Sequence, residues 1–188
     1  MVAVGTETLR LSEVLAYLDE AESALLAEIA RLGDRLHVGE AGQWSPAQIV
    51  RHLVWTEGTI YLLWWLVPPL RRWPRAIALL DRGNAALWRA MGMRTVRESP
   101  LAGNPLMGRY RAPVFLRPRG GGVTAEALVR WRGRMRQRTM QAALRLDEDT
   151  LRSLGWSHPL LGRFSLLEFL RFLGLHEWHH VAQLRRMR

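Results

Sequence analysis

The sequence predicts an all-α fold, a four-helix bundle with a long irregular connection between helices 2 and 3. Three observations predict it. Four long stretches repeat apolar residues every three or four positions, no stretch reads convincingly as a strand, and a Pro/Gly-rich segment from Ser99 to Gly122 separates the second long stretch from the third. Four amphipathic helices with one long excursion are the pattern of a bundle with one crossover.

The first helix is predicted over Glu7 to Leu32, with Leu11, Val14, Leu15, Leu18, Leu25, Leu26 and Ile29 at helical spacing and Gly33 as its stop. After a polar loop, Trp44-Ser45-Pro46 opens the second. Ser45 is a good N-cap, and Pro46 suits the first helical position, where its missing N–H would be unpaired anyway. This helix is expected to reach about Leu66, with Ile49, His52, Leu53, Thr56, Ile60 and Leu63 on one face. Its apolar end, Ile60 to Leu70, is too short to span a bilayer and is broken by Pro68-Pro69. Pro68 to Gly122 is the least regular part: Ala76 to Met91 has room for a short helix or two, and Ser99 to Gly122 is a long loop or extended piece. Connections that long are uncommon in compact domains and usually functional or mobile. Thr124 caps the third long helix, through about Leu146. Ser165, with Glu168 three residues on, forms a capping box for the last.

At 188 residues the chain reads as one domain, 1–188, able to bury a real core. The nine Trp demand buried or interfacial sites. Cysteine is absent, which excludes disulfides, thiolate metal sites and Cys nucleophiles and fits a cytoplasmic protein; any metal site must use His and carboxylate. The N-terminus lacks a basic start followed by an apolar core, and no membrane segment is expected. The net charge of +10 invites a nucleic-acid reading, but all 27 basic residues are Arg, spread along the chain. In the densest stretch Arg130, Arg132, Arg134, Arg136 and Arg138 alternate, so on a helix they fan around more than one face. They are expected to form a solvated or partner-facing surface, with no specific nucleic-acid partner. No zinc finger or RNA-recognition signature accompanies them.

The chemistry concentrates in the last helix. His176 and His180 sit at i and i+4, one turn apart on one face, a spacing that lets two nitrogens reach a single metal ion. They continue the apolar stripe Phe169, Leu173, Leu184, and imidazoles on a buried stripe need partners. His52, on the inner stripe of the second helix, completes a three-imidazole set of the catalytic type: three protein ligands and one position left open. Zinc, nickel, cobalt or iron all suit it, and ligand softness alone does not choose. The plainer alternative is a set of core histidines bonded to backbone carbonyls. Glu57 and Glu177 are ordinary helix residues, although either is placed to orient a ligand histidine through its free N–H, as is Gln183. His179 points off the stripe, toward the surface or a supporting role. His37 and His158 read as loop residues without chemistry. No catalytic residue beyond the ligands is evident.

Taken together, Trp44-Ser45-Pro46 with Ile49 and His52-Leu53, then His158-Pro159-x-x-Gly162-x-x-Ser165 leading into Leu175-His176-Glu177-x-His179-His180-x-x-Gln183-Leu184, resemble the DinB-like / YfiT-type metalloenzyme superfamily. This is the DinB family of four-helix bundles, not the DNA polymerase that shares the name. The resemblance implies an up-down-down-up bundle, usually dimeric, binding a divalent metal, with zinc or nickel expected. Carried over residue by residue, its ligands are His52, His176 and His180. Relatives include S-transferases and isomerases that use low-molecular-weight thiols such as bacillithiol or mycothiol, and others described as metal-dependent hydrolases.

Three function classes follow. The first is a metal-dependent enzyme acting on a small-molecule substrate, S-transferase preferred over hydrolase, with the thiol supplied by a soluble cofactor and arginines such as Arg51 or Arg163 holding its carboxylates. The second is a non-catalytic metal- or small-molecule-binding bundle linked to stress. The third, driven by charge, is nucleic-acid binding. A homodimer is expected, because Trp64, Trp65, Trp73 and Trp88 offer more aromatic area than a small bundle's core readily buries.

Overall fold

The computed structural model describes residues 9–39, 43–70, 72–90, 123–158 and 162–187, and the Ser99–Gly122 connection and the first residues of the predicted Glu7 start lie outside them. The chain is mostly helical: α1 is Leu11–Leu32, α2 Pro46–Leu70, α3 Pro74–Ala90, α4 Ala125–Leu144, α5 Glu148–Ser153 and α6 Leu166–Arg185, with a short 3-10 turn at Gly33–His37. A small antiparallel hairpin, β1 Gly155–His158 and β2 Gly162–Ser165, precedes α6. No helix among the described residues is long and apolar enough to cross a membrane.

The local chemistry explains most of the boundaries. Gly33 ends α1 at φ +50, a conformation that costs a side-chain-bearing residue but not glycine. At α2 the Ser45 hydroxyl accepts from the Gln48 N–H at 3.3 Å, and Gln48 Oε1 accepts from the Ser45 N–H at 2.9 Å, closing a box around the first turn. Thr124 Oγ1 accepts from Ala127 N at 3.3 Å and starts α4. The box at α6 is complete in both directions: Glu168 N to Ser165 Oγ at 3.2 Å and Ser165 N to Glu168 Oε2 at 2.7 Å. We expect Ser165→Ala to cost about 1 kcal/mol; a thermal melt should fall by about 2–4 °C, and an unchanged melt would show the cap to be redundant.

Two expectations change, the end of α2 and the absence of strands. α2 runs through Pro68 and Pro69 to Leu70 rather than ending near Leu66. Proline withholds an N–H and crowds the carbonyl four residues back, but here it does so only in the last turns, beyond the segment that Ile60 and Trp64 anchor in the core. Where a short helix or two had room, residues 76–90 lie in one helix, α3, of 17 residues. A short helix capped by Asp147, which accepts from Thr150 N at 2.7 Å, follows α4. The hairpin corrects the expectation that no strands form; its strands are only four residues each, too short for a period-two pattern to register. Asp81 of α3 ties it down by accepting from Ser157 N at 2.6 Å and Ser157 Oγ at 3.1 Å, while Asn84 Nδ2 donates to Ser157 O at 2.8 Å.

α1 packs along α6 and α2 along α4, with smaller contacts joining α2 to α6 and α1 to α4. Gly174 permits the close α1–α6 approach, since a Cβ there would lie 2.7 Å from the Tyr17 ring. The core is divided. One apolar cluster contains Val14, Leu18, Ile60, Trp64, Phe164, Phe169, Phe172 and Leu173; the other contains Leu25, Ile29, Ile49, Leu53, Leu128, Val181 and Leu184. On α1, α2 and α6 the residues between the two clusters include Glu22, Glu57 and Glu177, and α4 inserts Arg132 and Arg136 at the same level.

Trp64 is therefore core rather than interface. Trp65 and Trp73 are 59% and 65% exposed, while the Trp88 side chain lies outside the described residues.

Candidate metal centre and the buried charge layer

The capping box that starts α6 sets its phase, and that phase turns His176 and His180 toward α2. There His52 meets them. His52 Nε2 lies 3.3 Å from His176 Nε2, and His180 Nε2 lies 3.1 Å from the same atom. All three ligand nitrogens fall within 4.8 Å of one another, and this is a group able to hold a metal ion. His52 and His180 are buried and His176 half-buried. Trp44 packs on the His52 ring at 5.0 Å, and Phe172 stacks on His176 at 5.7 Å with planes only 5° apart.

The donor set suits a divalent cation. Gln183 Oε1 lies 3.0 Å from His180 Nδ1. An amide oxygen only accepts, so Nδ1 donates and Nε2 keeps a lone pair aimed into the cluster. His176 Nε2 faces two other Nε2 atoms, and one proton on it satisfies only one of those contacts. Tetrahedral zinc with Zn–N of about 2.0–2.1 Å separates its nitrogens by about 3.3–3.4 Å, close to the spacings observed. Protons are disfavoured as an alternative. Burial, then the neighbouring His180 and His52, hold His176 well below the ordinary histidine value, and burial with His52 pushes His180 down to about 3. At neutral pH both rings are uncharged, the form a metal binds. His179 is half-buried with its ring 5.2 Å from that of His180, and burial followed by Arg186 lowers its pKa.

The structure places Glu57 and Glu177 elsewhere. Glu177 is one residue past His176 and Glu57 five past His52, about 100° and about 140° around their helices, so both turn away from the imidazoles. Their oxygens bind two guanidiniums of α4. Arg132 donates to Glu57 and, through Nε at 2.8 Å, to Glu177 Oε1. Arg136 donates from Nε to Glu57 Oε1 at 3.2 Å, from Nη2 to Glu177 Oε2 at 2.6 Å, and from Nη1 to the Leu18 carbonyl at 2.7 Å. Burial alone would raise the Glu57 carboxyl, but Arg132 and Arg136 overcome it and hold it below the ordinary carboxylate value. Glu22 sits in the same field with burial dominant, which raises its pKa, and its Oε1 has no hydrogen-bond partner among the described residues.

The five alternating arginines do fan around more than one face, but the expectation that they are all solvated or partner-facing fails for Arg132 and Arg136. Arg132 and Arg136 are 1% exposed, whereas Arg130, Arg134 and Arg138 are exposed. A signal for the difference was present: Leu128, Arg132, Arg136, Thr139 and Ala143 follow at steps of four, four, three and four, the stripe that α4 buries.

With this geometry in hand, a family model described as the DinB superfamily matches residues 17–184. The chain belongs to the DinB superfamily. The match takes in His52, His176 and His180 and all four residues of the charge layer. No significant match exists among curated proteins or among solved structures.

The remaining candidates of this DinB-superfamily chain scatter. His37 is exposed in the 3-10 turn. Arg51 stacks over Trp55 at 5.4 Å, and the exposed Arg163 lies 3.8 Å from Asp81. His158, expected in a loop, ends β1 with its ring against Phe164, Phe169 and Phe172, and burial pushes it down to about 4. This sets a pH dependence. Between 6.5 and about 4 the unfolded chain binds a proton that folded His158 refuses, so stability is lost as pH falls through that window. The loss is at most about 1.4 kcal/mol per pH unit. Urea unfolding of metal-free protein at successive pH values should show this slope, flattened in His158→Phe; an identical slope in the variant would clear His158 as its source. His176 and His180 add loss in the same direction in both proteins.

Proposed function

We propose that this chain is a metal-dependent enzyme that transfers a low-molecular-weight thiol to a small electrophile, or hydrolyses a small substrate, at a divalent ion held by His52, His176 and His180. The observation that carries this reading is the convergence of three imidazole nitrogens from two helices within 4.8 Å. Three protein ligands leave a coordination position for a substrate, the arrangement of catalytic rather than structural sites. A zinc or nickel ion there would supply Lewis acidity, lowering the pKa of a water or thiol that binds it. The residues of the chain do the rest: Gln183 orients His180, Trp44 and Phe172 wall the histidines with apolar rings, and burial keeps His176 and His180 unprotonated. Because the chain has no cysteine, the thiol comes from solution.

The architecture proposed with it is an up-down-down-up four-helix bundle of α1, α2, α4 and α6, assembled as a homodimer in the cytoplasm. Exposed Trp65, Trp73, Leu62 and Leu80 support the dimer as apolar surface near α2 and α3. The non-catalytic alternative, a metal- or small-molecule-binding bundle, is favoured by the lack of an evident general base beside the histidines among the described residues. One assay separates the two. Metal-loaded protein is mixed with a thiol and a chromogenic electrophile, and thiol consumption is followed with and without a chelator. Chelator-sensitive turnover supports the enzyme; metal-replete protein that turns over neither this pair nor an ester or amide supports the binder.

A further inference from the structure

We propose that Glu57, Arg132, Arg136 and Glu177 act as positioning residues for the histidine site, clamping α2 to α6 so that His52 stands at coordinating distance from His176 and His180. This rests on reading those histidines as metal ligands. The ligand set is split: one imidazole comes from α2, two from α6. Yet α2 packs mainly on α4 and α6 mainly on α1, so direct α2–α6 packing is the smaller contact. The charge layer supplies the missing link. Each guanidinium bonds both carboxylates, Arg132 and Arg136 alike joining Glu57 of α2 to Glu177 of α6. Arg136 also holds α1 through Leu18 O.

The clamp sits beside the ligands. Glu177 lies between His176 and His180, and Glu57 is five residues past His52, about 7.5 Å along a stiff helix. A shift of either carboxylate is therefore carried to the imidazoles. Stability does not explain the layer, since a buried ion network is commonly matched or exceeded by apolar residues of similar volume. Here apolar clusters already lie on both sides of it. What charge adds is register. Apolar helix faces tolerate sliding, whereas two planar guanidinium forks against two carboxylates are satisfied in one arrangement.

The test is a cobalt(II) titration of full-length, tag-free protein, reading both affinity and the visible d–d spectrum. The key variant replaces the layer with apolar residues, Glu57→Leu/Arg132→Met/Arg136→Met/Glu177→Leu. A second, Glu57→Asp, keeps the charge but shortens its reach by one methylene. His176→Ala is the site control, and Glu28→Asp, in the part-buried ion pairs with Arg31 and Arg185, controls for carboxylate shortening. The expected result is a four-residue variant that melts near wild type but binds cobalt about 10–100-fold more weakly with an altered spectrum. Glu57→Asp should shift the same way and Glu28→Asp should not. Wild-type affinity and spectrum in a folded four-residue variant overturn the proposal. If that variant does not fold, Glu57→Asp decides by the same two readouts. Cobalt uptake by wild type that survives His176→Ala, or no uptake, overturns the metal reading and this proposal together; His176-dependent uptake untouched by the layer variants overturns this proposal alone.

Discussion

Tag-free His176→Ala protein should carry no stoichiometric divalent metal, against about one ion per chain in wild type. His176 is the variant of choice because its Nε2 is the atom that both other imidazoles approach, at 3.3 and 3.1 Å. Removing it leaves His52 and His180 without the nitrogen that links them, and two ligands hold a divalent ion far more weakly than three. Elemental mass spectrometry measures the outcome directly, and the absence of a polyhistidine tag matters because a tag supplies ligands of its own. Wild type that stays metal-free after reconstitution with zinc or nickel would sink the metal reading and leave a core histidine cluster. Because the truncation leaves a cavity beside Phe172, circular dichroism of the alanine variant is the check that metal loss is not unfolding.

Arg132→Ala should destabilise the protein by about 3–5 kcal/mol, because it strands Glu57 and Glu177 as buried carboxylates with one guanidinium between them. At this chain length that is a fall of roughly 6–20 °C in Tm. Arg134→Ala, two residues along the same helix and exposed, should stay within about 0.5 kcal/mol of wild type. Urea or thermal unfolding of the pair is a within-helix contrast. Equal, small losses in both would mean that the charge layer contributes little and that water reaches it in solution. The contrast also separates this loss from the apolar replacement of the whole layer, which removes both carboxylates together with the two guanidiniums they bind.

Much of this molecule is legible one residue at a time. Ser45, Thr124 and Ser165 announce helix starts because their hydroxyls satisfy amides three residues on, a purely local bond. The apolar stripes of α1 and α6 follow from a 3.6-residue turn. The pair His176 and His180 is visible for the same reason, since i and i+4 share a face wherever the helix sits. The partnership with His52, 124 residues away, was anticipated from the inner stripe of α2 and from resemblance, and the distance came from packing.

Other features resisted for physical reasons. The hairpin at 155–165 is held by backbone pairing and by Asp81 and Asn84, contacts without a local pattern. His158 looks like a loop residue until Phe164, Phe169 and Phe172 close on it. Glu57 and Glu177 look like ordinary helix carboxylates until Arg132 and Arg136 close on them.

By itself, then, the sequence determined the helical character, the caps and the phase that puts His52, His176 and His180 on inward stripes, all of which depend on neighbours within four residues. Only the tertiary structure decided that two of the five alternating arginines enter the core. The spacing from Leu128 to Ala143 puts Arg132 rather than Arg134 on the apolar stripe, but what makes its burial possible is that Arg132 meets Glu57 and Glu177, which arrive from two other helices. A charge is affordable in the interior only when its counter-charges are already there, and their arrival is a property of the assembled fold.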